Sequence, residues 1–485
     1  MIYNFKSKQE INNFLLKYNK KKIDFLIVGS GPAGISLASE INKNLKKKSI
    51  VLIERGDLNK PNISSQSVFS KNLNIKSNSR VFKVGGTSNV WGSGSTYFEN
   101  FEMYNKTKYK QKNLWPINHT KLLSLYKHVQ NRYKLKIPQY SKIQDDFNFH
   151  KREVIIPKKR VNFKSFLNLD EIDLVTNCKI EYFEEKKIPV VFFKNNRNLS
   201  KIIGNHLILC AGSLETIKLL NKSIIKKKIP LINKKILGKN FMNHPKIKYG
   251  KLVNLKKNIS LKKNIVSNLK NYRKFEALSL PRKIQKKKNL LNTCVRFIPV
   301  KERGFKDSIY LHLKQKDFFE VLKNLFGLLN LKINEIFKLN FNKEIYKMIF
   351  HLEMEPNINN KIYFKKNKIV ADYKLNKKDY DTFLELYETI IRNFTEDKFN
   401  RSQLKKVNFN KIALDASHHM GGTCYNPDKK ISFVDKQLKI IGLKKTYICS
   451  SSVFPTSGSL SPTATVVALS IYLSEHFKKM SKIKV

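Results

Sequence analysis

The sequence predicts an α/β fold in which one domain, split over separate stretches of chain, is interrupted by a second, inserted domain. Three observations predict it. Lys22 to Arg55 reads as strand, glycine-rich turn, helix and strand; an apolar strand runs into small residues at Leu207–Ser213, and apolar and small residues return at Ser450–Leu473; and glycines thin out between about Pro245 and Asn410. At 485 residues and 41% hydrophobic content the chain is long enough for two cores.

Composition narrows the function classes. The 95 Lys and Arg against 37 Asp and Glu give a formal charge of +58, a value that fits a polyanion partner or an anionic membrane surface. The basic residues are scattered along the whole chain, however, mostly as Lys among Asn and Ile, and no helix-turn-helix, zinc-finger or RNA-binding signature accompanies them. We read the charge as compositional bias and expect no specific nucleic-acid partner. Cys178, Cys210, Cys294, Cys424 and Cys449 are odd in number, widely spaced and without a CxxC pair, so neither a disulfide framework nor a metal site is expected. Met1 to Lys20 reads as a polar, basic helix with Ile11, Phe14, Leu15 and Tyr18 at helical spacing, lacking the apolar run of a signal peptide and any twin-Arg pair. A cytoplasmic location is the expectation. With no run of about 18 apolar residues, a transmembrane segment is not expected.

The elements follow in order. Phe25–Val28 and Ile50–Ile53 are strands, and Gly29-Ser30-Gly31-Pro32-Ala33-Gly34 joins the first to a helix. In such a turn the first glycine permits the tight bend, the second lets backbone approach a pyrophosphate and the third lets helix pack closely on strand. The helix N-terminus favours the anion. Glu54, at the end of the second strand and 20 residues beyond Gly34, is placed to accept hydrogen bonds from an adenosine ribose. The unit is Rossmann-like, and by itself it does not separate FAD from NAD.

Asn59 to Ser79 reads as loop and leads to a second glycine cluster, Val84 to Ser95. Thr120 to Tyr133 has helical periodicity, Val154 to Phe193 alternates like strands, and Leu207–Cys210 is an apolar strand entering Ala211-Gly212-Ser213 and a helix. In the glycine-poor middle, strands at Thr293–Val300 and Ile309–Leu313 surround a helical candidate, Asp317–Lys338. Its Phe318, Phe319, Leu322, Leu325, Phe326, Leu329, Ile333, Ile336 and Phe337 form a wide apolar face. Core packing is the simpler reading of that face; a lid or membrane-surface role is the alternative. A final apolar helix ends near Leu473, followed by a short basic tail.

Several segments carry a resemblance. Gly85-Gly86-Thr87-Ser88-Asn89-Val90-Trp91-Gly92, Trp115-Pro116-Ile117, the strand ending Cys210-Ala211-Gly212-Ser213, Gly238-Lys239-Asn240-Phe241-Met242-Asn243-His244-Pro245, His418-His419-Met420-Gly421-Gly422-Thr423, Ser451-Ser452-Val453-Phe454-Pro455-Thr456 and Ser461-Pro462-Thr463-Ala464-Thr465 occur in that order. They resemble the ordered motifs of the glucose-methanol-choline (GMC) oxidoreductase family, the His418 segment its HPxGT motif. The resemblance covers nearly the whole chain as islands; roughly Lys246 to Phe350 matches in position alone.

The resemblance implies an FAD/NAD(P)-binding Rossmann-like domain, discontinuous, with an inserted α+β substrate domain containing an antiparallel sheet. Its boundaries would be 21–100, 166–245 and 410–485 for the FAD-binding segments, 101–165 for a connecting and substrate-domain segment, and 246–409 for the substrate-binding domain. It implies an FAD-dependent oxidoreductase acting on the CH–OH group of a small-molecule alcohol or sugar, with a dehydrogenase favoured over an oxidase. The final acceptor would be oxygen or an electron-acceptor protein. The cofactor-binding set is Gly29, Gly31, Gly34, Glu54, Gly86, Thr87, Asn89, Ile180, Ala211, Ser452, Pro462 and Thr463. The family's covalent flavin link uses a His in the segment matching Val84–Ser95, where this chain has none, so the FAD would be noncovalent.

The catalytic set is His418, His419 and Ser461. Oxidising an alcohol requires a base for the hydroxyl proton and an acceptor for the hydride, and imidazole suits the first task near neutral pH. The ungapped match places the family's base on His418, whereas alignment on Gly422-Thr423 gives His419. Ser461 stands where the family usually has Asn or a second His; it can hydrogen-bond but cannot act as a base. Either it works with a water, His419 serves as partner, or catalysis is impaired. His244 is a lesser candidate beside the cofactor. Sugars, polyols or cyclic alcohols are the favoured substrates, with a sterol or alkyl alcohol oxidase as the rival enzyme and a flavin-binding assembly protein as the rival outside catalysis.

Overall fold

A computed structural model describes the chain except for residues 20–21, 61, 64–67, 105–113, 139–144, 147–148, 196–197, 231–232, 253–254, 257–266, 269–270, 300–320, 323–324, 327–328, 330–345, 366–367, 397–403, 405–406 and 484–485. Phe25–Val28, within the strand Ile23–Val28, and Ile50–Ile53 are apolar on both faces, the pattern of parallel strands covered on both sides. They pair in parallel register, Phe25 with Ile50 through Val28 with Ile53. Ile23–Val28 is flanked on its other side by the end of a long strand, Asn198–Leu209, which also pairs in parallel with Thr446–Ile448. Among the described residues this sheet has eight strands, ordered Ile2–Asn4, Asp173–Thr176, Ile50–Ile53, Ile23–Val28, Asn198–Leu209, Pro189–Asn195 and Ile180–Glu185, with Thr446–Ile448 also on Asn198–Leu209.

The N-terminal segment differs from the helix expected over Met1–Lys20. Ile2–Asn4 joins the sheet edge, Ile2 opposite Leu174, and the helix is confined to Lys8–Tyr18. Ser7 is the cause of the late start: its hydroxyl accepts the Glu10 N–H, capping the helix there. Ile11 and Phe14, two of the periodic apolar residues, are buried.

The second sheet is antiparallel and, among the described residues, seven-stranded. Its main path runs Lys246–Leu252, Tyr346–His351, Cys294–Pro299, Tyr272–Ser279, Phe149–Pro157 and Asp145–Asp146, with Ser267–Asn268 beside Tyr272–Ser279. The alternating stretch Val154–Phe193 therefore divides between two sheets, because alternation identifies a strand without naming its partner. The strand expected at Ile309–Leu313 lies outside the described residues. So does most of Asp317–Lys338, of which Val321 is buried and Leu322, Leu325, Phe326 and Leu329 are exposed.

Two helices lock the eight-stranded sheet to the chain's last segment. Pro32–Asn44 starts with proline, whose missing N–H costs nothing at a helix start, and is buried continuously from Ala33 to Ile41. Thr463–Ile483 packs across it and against His119–Tyr133, with the Ser470 hydroxyl donating to the Ala33 carbonyl at 3.0 Å. This helix continues beyond Leu473 through the expected tail: Phe477 is buried, and the late lysines meet the negative end of the helix dipole. No helix among the described residues is long and apolar enough to cross a membrane.

Candidate active site

A cleft opens where the parallel strands Ile23–Val28, Ile50–Ile53 and Asn198–Leu209 end, the usual ligand position in an open α/β sheet. Of the residues expected from sequence, Gly29, Gly31, Glu54, Gly86, Thr87, Ile180, Ala211, His418, His419, Pro462 and Thr463 line it. The three glycines of the first turn meet different surroundings. Gly29 has φ +105°, a backbone state that other residues rarely adopt. A Cβ on Gly31 would meet nothing within 4 Å, so the free space lies directly over this residue. One on Gly34 would fall 1.8 Å from the Gly29 carbonyl oxygen, so helix and strand touch there. The second glycine turn leans on the first, since a Cβ on Gly86 would stand 2.9 Å from the Gly31 Cα.

Glu54 is buried at the cleft wall. One carboxylate oxygen accepts the Ser30 N–H at 3.1 Å and its hydroxyl at 2.6 Å, and the other accepts the Gly56 N–H at 2.7 Å. Burial pushes the carboxyl above its ordinary range, against the pull of these donors and of Arg55. Beyond it the wall is basic. Arg80 and Arg55 both pair with Glu215, and burial brings the neighbouring Lys218 down to about 8 against the attraction of Glu215. None of these residues stood out from sequence, because a chain with 95 Lys and Arg offers no contrast by which to notice two or three.

At the other end of the cleft two segments run antiparallel. Met242 and Met420 exchange both backbone hydrogen bonds at 2.9 Å, and the Gly238 N–H reaches the Gly422 carbonyl at 2.7 Å. That register brings His244 opposite His418, with their Nδ1 atoms 3.0 Å apart. His244 Nε2 lies 2.9 Å from the Ser457 carbonyl oxygen. Asn243 supports both backbones, its Oδ1 accepting the N–H of His244 at 2.8 Å and of His418 at 3.2 Å, while its Nδ2 donates to Asp415 at 2.7 Å. Asp415 is buried, yet His419, Asn243 and the Lys76 N–H hold it well below the usual carboxylate range. Asn243 and Asp415 escaped the sequence reading, although the position of Asn243 beside His244 was a signal.

The two adjacent histidines have separate surroundings. His418 keeps part of its surface on the cleft. Burial, then the neighbouring His244, Lys246 and His351, hold its imidazole well below the ordinary value against the opposing pull of Asp415. His419 is 9% exposed, with Nε2 3.3 Å from Asp415 and its ring 5.9 Å from that of Phe241. Its carbonyl accepts the Ser451 hydroxyl at 2.7 Å, tying the strand-end segment at 451–453 to the histidine pair.

Four expected residues stand off the wall. Gly34 lies beneath it at the helix–strand contact. Asn89 braces its own turn, donating to the carbonyls of Val84 at 3.0 Å and Gly86 at 2.8 Å. Ser452 is buried and bonded to the hydroxyls of Thr423 and Ser450, each at 2.7 Å. Ser461 is half-buried just before Pro462 and Thr463, which do reach the cleft at the start of the last helix. Trp115 anchors this region from the side, its indole N–H donating to the Thr456 hydroxyl at 2.9 Å.

Comparison with known proteins agrees with this architecture. Residues 358–470 match the family model for the C-terminal part of the GMC oxidoreductases. The uncharacterised protein MJ1450 of Methanocaldococcus jannaschii is 25% identical over 224 residues, which span 41% of this chain and 52% of that one. The chain thus spans about half the length of the curated relative it matches. Pyridoxine 4-oxidase from Mesorbium loti is similar in structure with a TM-score of 0.57 at 11% identity, covering 94% of this chain and 99% of its own. An FAD-dependent oxidoreductase from Chaetomium thermophilum gives 0.58 at 12%, covering 95% and 100%. A fungal aryl-alcohol oxidase gives 0.56 at 11%, covering 96% and 100%. At those identities the likeness establishes the fold, and the match to the GMC oxidoreductase family model covers residues 358–470 of the 485.

Proposed function

We propose that this protein is an FAD-dependent oxidoreductase that oxidises the CH–OH group of a sugar, polyol or cyclic alcohol, with His418 as the base. The observation that carries the reading is one cleft holding both a glycine cradle and His418. The residues fit the cofactor. Open space over Gly31 leaves room for a pyrophosphate at the start of helix Pro32–Asn44, Glu54 suits a ribose, and the N-terminus of helix Thr463–Ile483 enters the same cleft. Residues 246–409, which supply most of the antiparallel sheet, would form the substrate side.

When bound, the flavin would supply a hydride acceptor. The protein's own part is proton handling and placement. His418, held unprotonated near neutral pH by burial, is ready to receive the alcohol's hydroxyl proton. Holding base and substrate in one orientation beside the cofactor contributes the remaining advantage. The segment Val84–Ser95 contains no His, so we expect the flavin to be noncovalent. Acid or heat should release yellow colour into the supernatant; colour retained by the precipitate would refute a noncovalent link.

Ser461 favours a second reading, a flavin-binding protein without alcohol oxidation, because serine cannot replace a second base. Anaerobic titration with a panel of sugars, polyols, cyclic and alkyl alcohols and sterols separates the two. Bleaching by a sugar, polyol or cyclic alcohol supports the first reading, bleaching by sterols or alkyl alcohols alone moves the substrate class, and a flavin that dithionite bleaches but no alcohol does supports the second.

A further inference from the structure

The hydrogen bonds around His244 determine which nitrogen of His418 carries a proton. The Ser457 carbonyl oxygen can only accept, so His244 Nε2, 2.9 Å away, must bear the hydrogen. A neutral His244 then presents a bare Nδ1. That atom lies 3.0 Å from His418 Nδ1, which must therefore be the donor of the bond they share. Neutral His418, protonated on Nδ1, has its lone pair on Nε2.

His244 is suited to remain neutral. It is fully buried, and burial brings its imidazole down to about 4. The charged and titratable groups around the pair include Lys246 and His351, which oppose a positive charge, and Glu102 and Asp415, which favour one on His244 and His418 respectively. The two rings meet edge to face, at 84° with centroids 5.2 Å apart, and the Asn243 carbonyl oxygen accepts the backbone N–H of each residue. Donor and acceptor are thus held by backbone as well as by their own contact.

We propose that His244 is a positioning residue that fixes the tautomer of His418, leaving Nε2 as the nitrogen that receives the substrate's hydroxyl proton. The inference rests on His418 being the base and extends that reading to a residue outside the cleft wall. In the step, the O–H bond breaks and its proton binds His418 Nε2, and a bound flavin would supply the two-electron acceptor for the hydride that leaves the alcohol's carbon. His418 becomes an imidazolium whose Nδ1–H still donates to His244, so the proton need move no further. Ser461 stands off the cleft wall, and orientation of the base falls instead to a residue contributed by the segment before Lys246.

The test reads the tautomer directly in the holoenzyme with nitrogen-15-labelled histidine, resonances of residue 418 being assigned by their loss in His418→Gln. The expected wild-type spectrum has a protonated Nδ1 and an unprotonated Nε2 at neutral pH; a protonated Nε2 overturns the proposal without recourse to any other variant. His244→Leu should shift the pattern toward the other tautomer and slow flavin reduction by roughly 10- to 100-fold, the usual worth of an orienting partner. His244→Asn places an acceptor oxygen near the position of Nδ1 and should recover at least tenfold of that loss, by order of magnitude. A merely structural His244 would give similar losses in both variants and an unchanged His418 tautomer, which overturns the proposal. If His418→Gln leaves the reduction rate intact, the base assignment fails; if that variant is slow while His244→Leu keeps wild-type rate and tautomer, the positioning role alone fails.

Discussion

Alanine at position 418 is expected to lower the anaerobic rate of flavin reduction by alcohol by roughly 10² to 10⁴, the usual worth of a placed general base, with flavin content close to wild type. His419→Ala should cost much less, because His419 faces Asp415 and Phe241 rather than taking part in the His244–His418 contact. The pH dependence has a fixed sign. A base works unprotonated, and burial, reinforced by His244, Lys246 and His351, puts the ionisation of His418 below the ordinary 6.5. The wild-type rate should therefore hold through neutral pH and fall on the acid side of 6.5, a limb that the alanine variant lacks. Stopped-flow absorbance over a pH series reads both effects. Exchange of the two variants' behaviour would move the base to His419, and normal rates in both would remove the alcohol-oxidation mechanism.

Gly31→Leu should yield folded protein without cofactor. Its side chain would enter the space above the first turn, where no protein atom lies within 4 Å of the added Cβ, so the cost falls on the ligand rather than the fold. Gly34→Leu makes the contrast: its Cβ would start 1.8 Å from the Gly29 carbonyl oxygen, and folding itself should suffer. Absorbance of released flavin per mole of protein and a melting curve separate the cases. Stoichiometric flavin in the Gly31 variant would refute the pyrophosphate assignment.

The first glycine turn was legible because its constraints are local. A glycine at φ +105°, an open position two residues on and a helix–strand contact three further on leave a spaced pattern in sequence. Ile50–Ile53 was legible for the same reason, as a short apolar run ending in an acid. The imidazole contact was not legible. His244 and His418 are 174 residues apart, and their meeting depends on the backbone register of Met242 with Met420, which alternation and composition do not encode. Partner choice among strands was hidden likewise, since Phe149–Pro157 and Ile180–Glu185 look alike along the chain yet enter different sheets. Ser7 shows the reverse case: a local cap was present in the sequence, but the apolar periodicity around it drew the helix too long.

The pairing of the last helix with the first glycine turn also sets a schedule for biosynthesis. Pro32–Asn44 emerges early from the ribosome, but Thr446–Ile448 and Thr463–Ile483, which flank and cover the same layer, emerge more than 400 residues later. Until then the buried face from Ala33 to Ile41 has no final cover, and Pro462 and Thr463 are not yet at the cleft. On the proposed function, cofactor capture would belong to the end of translation, and a ribosome that stalls before the last helix would leave a chain with an exposed apolar layer, a substrate for chaperones.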